Sequence, residues 1–110
     1  YNLISIGAND VISKDVLFLV HDYSVSRALK AIGKENEGKR IMAPITIDDN
    51  VFVGARTTIL PGTRIGKNVV IGAGSIVKGC VPDNVVIAGN PAKVIKNIEE
   101  YAEQCLRRQQ

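Results

Sequence analysis

A chain of 110 residues with 14 Lys and Arg against 11 Asp and Glu carries a formal charge of +3 and suits one domain. The basic residues are spread rather than massed, and no RNP-like, helix-turn-helix or zinc-finger pattern occurs; an anionic small ligand such as a nucleotide phosphate suits the charge, and nucleic acid is not an expected partner. No apolar run approaches the roughly 20 residues that cross a bilayer, and plentiful aliphatics without any Trp point to stacked thin repeats rather than an ordinary globular core.

In chain order, Ile6, Ile12 and Phe18 open a six-residue spacing. Asp10 falls where that spacing expects a small inward residue, and Val16 fits it. The chain starts at Tyr1 without Met, within repeat-like sequence, which leaves room for N-terminal coils and a targeting segment ahead of it. From about residue 22 to residue 43 the spacing breaks in a stretch rich in Lys, Glu, Gly and Asn, expected to leave the repeat as an excursion loop.

From Ile47 the repeat is regular. Ile47, Val53, Ile59, Ile65, Ile71 and Val77 recur every six residues, and Val51, Thr57, Thr63, Val69, Ser75 and Val81 follow four places after each. Each hexad is expected to make one short strand and one turn. Three hexads make an 18-residue coil, Ile47–Arg64 and then Ile65–Pro82, with the aliphatics inward. Gly54, Gly66 and Gly72 follow three of the aliphatics and are expected to relieve crowding where the chain bends. After Pro82 the hexad fades, and Gly89-Asn90-Pro91 predicts a turn. Ile95, Ile98, Tyr101, Ala102, Cys105 and Leu106 then recur at helical spacing. The expected architecture is all-β: a parallel β-helix over residues 1–95 and a short C-terminal amphipathic α-helix over 96–110. So short a stack buries little apolar surface against the entropy of ordering its backbone, so oligomerisation is expected on physical grounds.

His21-Asp22-Tyr23-Ser24, the stretch Pro44 to Gly54, Ile59-Leu-Pro-Gly-Thr-Arg-Ile-Gly, Ile71-Gly-Ala-Gly-Ser-Ile-Val and Gly89-Asn-Pro-Ala-Lys-Val-Ile resemble the hexapeptide-repeat acyltransferases. The likeness is greatest to the galactoside, maltose, nodulation-factor and capsule O-acetyltransferases. The resemblance implies a left-handed β-helix, acetyl-CoA as co-substrate, a hydroxylated small acceptor, and a homotrimer with active sites between subunits. By motif position His21 matches the catalytic histidine. Phe52 and Ala55 match residues flanking the thioester arm, and Ala73, Lys78 and Gly79 match contacts to pantetheine. Lys93 and Lys96 match a basic pair near the CoA phosphates. The sequence departs from the pattern at Phe52, where Trp is frequent, and at the two Lys, where Arg is frequent; Lys keeps the charge but not the bidentate fork.

Direct transfer needs one base, and imidazole can take the acceptor proton and later protonate the leaving thiolate. His21 is the chain's sole histidine. Asp22 is the local candidate to orient it. Asp22 and Tyr23 are candidates to meet the acceptor, against a plain turn and loop packing. A backbone N–H near Gly54 is a candidate oxyanion donor. Arg27 and Lys30 read as a solvated face. Cys80 and Cys105 lie in no CxxC or metal spacing, which suits reduced thiols of a cytoplasmic protein. One histidine cannot furnish a three-His zinc site, so no metal is expected. An N-acetyltransferase of the same fold acting on an amino- or nucleotide-sugar is the runner-up, and a non-catalytic trimerising β-helix is a further reading.

Overall fold

The hexads fold as the spacing predicts because each supplies two or three extended residues and then a residue that tolerates a turn. The computed structural model describes residues 3–21, 23–34 and 43–109. Its first coil is β1 (Ile4–Ile6), β2 (Val11–Ile12) and β3 (Leu17–Phe18). Helix α1 (Tyr23–Ala31) follows. The second coil is β4 (Ile45–Ile47), β5 (Val51–Val53) and β6 (Thr58–Ile59), and the third is β7 (Arg64–Ile65), β8 (Val69–Ile71) and β9 (Ile76–Val77). The chain closes with β10 (Cys80–Val81), β11 (Val85–Gly89), β12 (Ala92–Asn97) and α2 (Ile98–Arg108).

Three sheets form the faces of the stack. Sheet A has the order β1-β4-β7-β10, sheet B β12-β11-β8-β5-β2 and sheet C β3-β6-β9. All ladders are parallel except β11–β12. Ile47 pairs with Ile65, Val53 with Ile71 and Ile59 with Val77, each an 18-residue step. These six aliphatics are buried, as are Val51, Thr57, Thr63, Val69 and Ser75. The buried hydroxyls are satisfied by carbonyls: Thr63 Oγ1 donates to Leu60 O at 2.6 Å, Ser75 Oγ to Gly72 O at 2.6 Å and Thr57 Oγ1 across to Gly72 O at 3.3 Å. The first block is a preceding coil, with Ile6 opposite Ile47, Ile12 opposite Val53 and Phe18 opposite Ile59. Its irregular Asp10 accepts a hydrogen bond from Val51 N at 2.7 Å.

Four expectations are corrected. The hexad does not fade after Pro82; it slips. Val81, assigned by spacing to the small inward position, takes the aliphatic position opposite Ile65, and Ile87 lies opposite Ile71, so these steps are 16 residues. The turn at Gly79, with φ +75°, is two residues shorter than the β6–β7 turn on the same edge.

The glycines after the aliphatics do not serve the bend. Positive φ belongs instead to Asn50, Arg56, Asn68, Gly62, Gly74 and others. At Gly54 a Cβ would lie 2.5 Å from Ala73 N and 2.7 Å from Ile71 O, so glycine is required by the approach of the next coil.

The excursion is not all loop, for α1 lies within it. Val25, Leu29 and Ile32 give it a helical period, and a Schellman motif ends it: Gly33 N donates to Lys30 O at 3.1 Å and Lys34 N to Leu29 O at 2.8 Å, with Gly33 at φ +73°.

Residues 96 and 97 are strand, not helix. β11 and β12 form a hairpin about the Asn90-Pro91 turn, and α2 starts at Ile98 because Asn97 caps it. Asn97 Oδ1 accepts from Glu100 N at 2.8 Å while Asn97 Nδ2 donates to Glu100 Oε1 at 2.8 Å, a reciprocal cap.

Candidate functional site

The coil geometry decides which side chains meet. After β3 the backbone is held to the next coil by Leu19 N donating to Ile59 O at 2.9 Å and Ala43 N to Val20 O at 2.8 Å. His21 lies at that exit, on the edge between sheets C and A, where the excursion leaves and Ala43 returns. Leu60-Pro61 and Lys78-Gly79 occupy the same edge one and two coils further on. The result is an open cleft of about 410 Å³ lined by Leu19, His21, Ser24, Leu60, Pro61 and Lys78.

His21 is exposed, with its ring parallel to that of Tyr23 at an interplanar angle of 1° and centroids 5.6 Å apart. Tyr23, 58% exposed, is the first residue of α1, and its carbonyl accepts from Ser26 Oγ at 2.8 Å. Asp22 lies outside the described residues.

The CoA candidates divide into groups. Lys78 shares the His21 cleft, and Gly79 beside it accepts from Arg64 N at 2.9 Å. Ala55 and Ala73 stack on the opposite edge of sheet C, where Gly74 N donates to Ala55 O at 2.8 Å. Phe52 is elsewhere: it stands on the outer side of sheet B between Val11 and Val70, in a groove with Ile98. Within one chain it does not line the His21 cleft. Lys93 and Lys96 both lie on β12. Lys93 is exposed, whereas Lys96 Nζ donates to Gln104 Oε1 of α2 at 2.6 Å.

Of the backbone N–H groups near Gly54, that of Gly54 itself is not an oxyanion donor. Its N–H is spent on Ile71 O at 2.8 Å and its residue is buried, so it cannot face a reacting carbonyl. Leu19, Leu60 and Pro61 were not singled out by sequence. Their signal was the repeat itself, since Leu19, Leu60 and Lys78 hold one register position in three successive coils. Among the described residues no group of three or more His, Cys, Asp or Glu is placed to hold a metal ion, and no helix is long and apolar enough to cross a membrane.

A family model described as the hexapeptide repeat of succinyl-transferase matches residues 44–78. The galactoside O-acetyltransferase of Escherichia coli (strain K12) is 41% identical over 97 residues, 88% of this chain and 45% of that protein. A 2,3,4,5-tetrahydropyridine-2,6-dicarboxylate N-acetyltransferase of Clostridium perfringens is 51% identical over 57 residues, 52% of this chain and 24% of that protein. The solved structure of a galactoside acetyltransferase in complex with coenzyme A is similar at a TM-score of 0.72 and 38% identity, covering 91% of this chain and 48% of the other. The fold is thus a left-handed parallel β-helix of hexapeptide repeats. The chain carries the hexapeptide repeat of that model and is similar to these acetyltransferases over most of its length. It spans about half the length of the curated relatives it matches.

Proposed function

We propose that the chain carries the active-site half of an acetyl-CoA-dependent O-acetyltransferase acting on a hydroxyl of a sugar, a polysaccharide unit or a similar small acceptor. The observation that carries this is the sole histidine set in a cleft at the edge of the coils, beside Lys78. The coenzyme A complex of the similar galactoside acetyltransferase supports the co-substrate.

In this reading the imidazole of His21 takes the proton of the acceptor hydroxyl as its oxygen attacks the thioester carbonyl. The tetrahedral oxyanion collapses with cleavage of the C–S bond, the acetyl group stays on the acceptor oxygen, and the imidazolium returns its proton to the departing thiolate. Lys78 and Gly79 meet the pantetheine beside His21, Ala55 and Ala73 line its path across sheet C, and Asp22 and Tyr23 border the acceptor. Lys93 supplies charge for the CoA phosphates, and Lys96 does so only by leaving Gln104. Phe52 reaches a thioester arm from the outer face of sheet B, which fits a homotrimer in which one subunit supplies Phe52 to the cleft of the next. The free thiols Cys80 and Cys105 suit a cytoplasmic protein and take no part in the transfer.

The test is thiol release from acetyl-CoA with a panel of sugars, comparing the wild type with His21→Ala. Transfer should fall by a factor on the order of 10²–10⁴ while acetyl-CoA binding by calorimetry persists. Full activity in the variant would remove the base assignment, and absence of acetyl-CoA binding by the wild type would favour a purely structural β-helix. A second reading, N-acetylation of an amino- or nucleotide-sugar, is favoured by the 51% identity to the Clostridium perfringens N-acetyltransferase. Transfer to amines alone in paired acceptors would establish it.

A further inference from the structure

We infer that Tyr23 is a positioning residue for His21, fixing the plane of the imidazole by ring stacking rather than through a ring nitrogen. This rests on the reading of His21 as the base. The two rings are parallel within 1° with centroids 5.6 Å apart, inside the range in which π faces attract. A hydrogen-bonding partner would fix a histidine by occupying one nitrogen. A stacked partner fixes the ring plane and leaves the in-plane lone pair and N–H untouched, which suits a base that must receive a proton on one nitrogen and give it back.

Both ends of the stack are anchored. His21 follows Val20, whose carbonyl accepts from Ala43 N at 2.8 Å, and Leu19, whose amide donates to Ile59 O at 2.9 Å. Tyr23 begins α1, its carbonyl accepting from Ser26 Oγ at 2.8 Å, and the Schellman turn at Gly33 closes the other end of that helix. The strand exit and the helix start therefore set the two rings against each other, although His21 itself is exposed and free of core packing. The tyrosine hydroxyl has no part in this; the ring does.

The test compares Tyr23→Ala and Tyr23→Phe with wild type and His21→Ala in the full chain. Thiol release from acetyl-CoA is followed with methyl galactoside, maltose and glucosamine. Proton–carbon NMR follows the ring of His21, whose signals are unambiguous because no other histidine is present. Tyr23→Ala should lower kcat about tenfold with KM for acetyl-CoA unchanged, and Tyr23→Phe should restore it. The His21 ring signals should shift in the Ala variant, as the ring current of Tyr23 is lost, and stay in place in the Phe variant. Unmoved His21 signals in Tyr23→Ala, an unchanged kcat there, or a Phe variant as impaired as Ala would each overturn the inference; the last would make the hydroxyl an acceptor contact instead. If His21→Ala keeps full activity the base assignment fails, and if the wild type uses none of the three acceptors the ring shifts alone decide the stack.

Discussion

At the scale of single residues, the period identified positions better than roles. The glycines after the aliphatics were visible in the sequence, but their reason was not. A turn glycine and a close-approach glycine look alike until the next coil is in place, and Gly54 is of the second kind. Gly54→Ala should therefore destabilise by about 3 kcal/mol, read as a lower urea midpoint, because a methyl there meets backbone rather than a yielding side chain. The two lysines matched to the CoA phosphates part company in the same way. Lys93 is exposed and Lys96 is bonded to Gln104. Lys93→Ala should raise KM for acetyl-CoA several-fold with little change in melting temperature. Lys96→Ala should cost about 1 kcal/mol of stability and shift KM less. An equal rise in KM for both would show that Lys96 abandons Gln104 when the co-substrate binds.

At the scale of elements, the repeat strands and the C-terminal helix were easy to foresee and α1 was not. A hexad repeated without interruption has no other use for its alternation. α1 was hidden because its apolar residues Val25 and Leu29 sit among charges in a segment that had already broken the period. The start of α2 was placed too early because Ile95 fits both a helical face and an edge strand, and the pairing of Ala88 with Lys93 and of Val85 with Asn97 resolves it. Asn97 is the physical boundary. Asn97→Ala removes both halves of the reciprocal cap and should cost about 1 kcal/mol, with fraying of α2 seen as loss of helical circular dichroism before the main transition. Of the candidate site, the period alone puts Phe52 and Lys78 on different faces, since both lie in the uninterrupted repeat. It could not put His21 beside Lys78, because the excursion between them breaks the count until the register of Phe18 with Ile59 is known.

At the scale of the whole molecule, the stack is held by repetition rather than by a thick core. Asn50 Nδ2 donates to Asn68 Oδ1 at 2.9 Å, and Asn68 Nδ2 to Asn84 Oδ1 at 2.8 Å, so one edge carries a continuous amide ladder through three coils. Val11, Leu17 and Phe52 remain exposed on the outer faces of two sheets. A homotrimer that buries such faces should appear as a threefold mass in sedimentation equilibrium. If it does, Phe52→Ala should weaken acetyl-CoA binding in the assembled species, and a monomer that binds and transfers with full efficiency would contradict the shared site.

The unequal coil lengths reach further than packing. From sheet A to sheet B, and from B to C, the chain always spends the same number of residues, whereas from C to A it spends an excursion containing α1 after β3 and loses two residues after β9. Insertion and deletion thus fall on one seam of the prism while the other two corners keep strict time. That seam is where His21 and Lys78 stand. Such a molecule can be edited along this seam without disturbing the inward rows, so under the proposed function a different acceptor would require rewriting only one margin. A Gly-Ser pair inserted between Lys78 and Gly79 should lower the melting temperature by only about 2–4 °C, whereas the same pair between Asp49 and Asn50 should break the amide ladder and cost several times more.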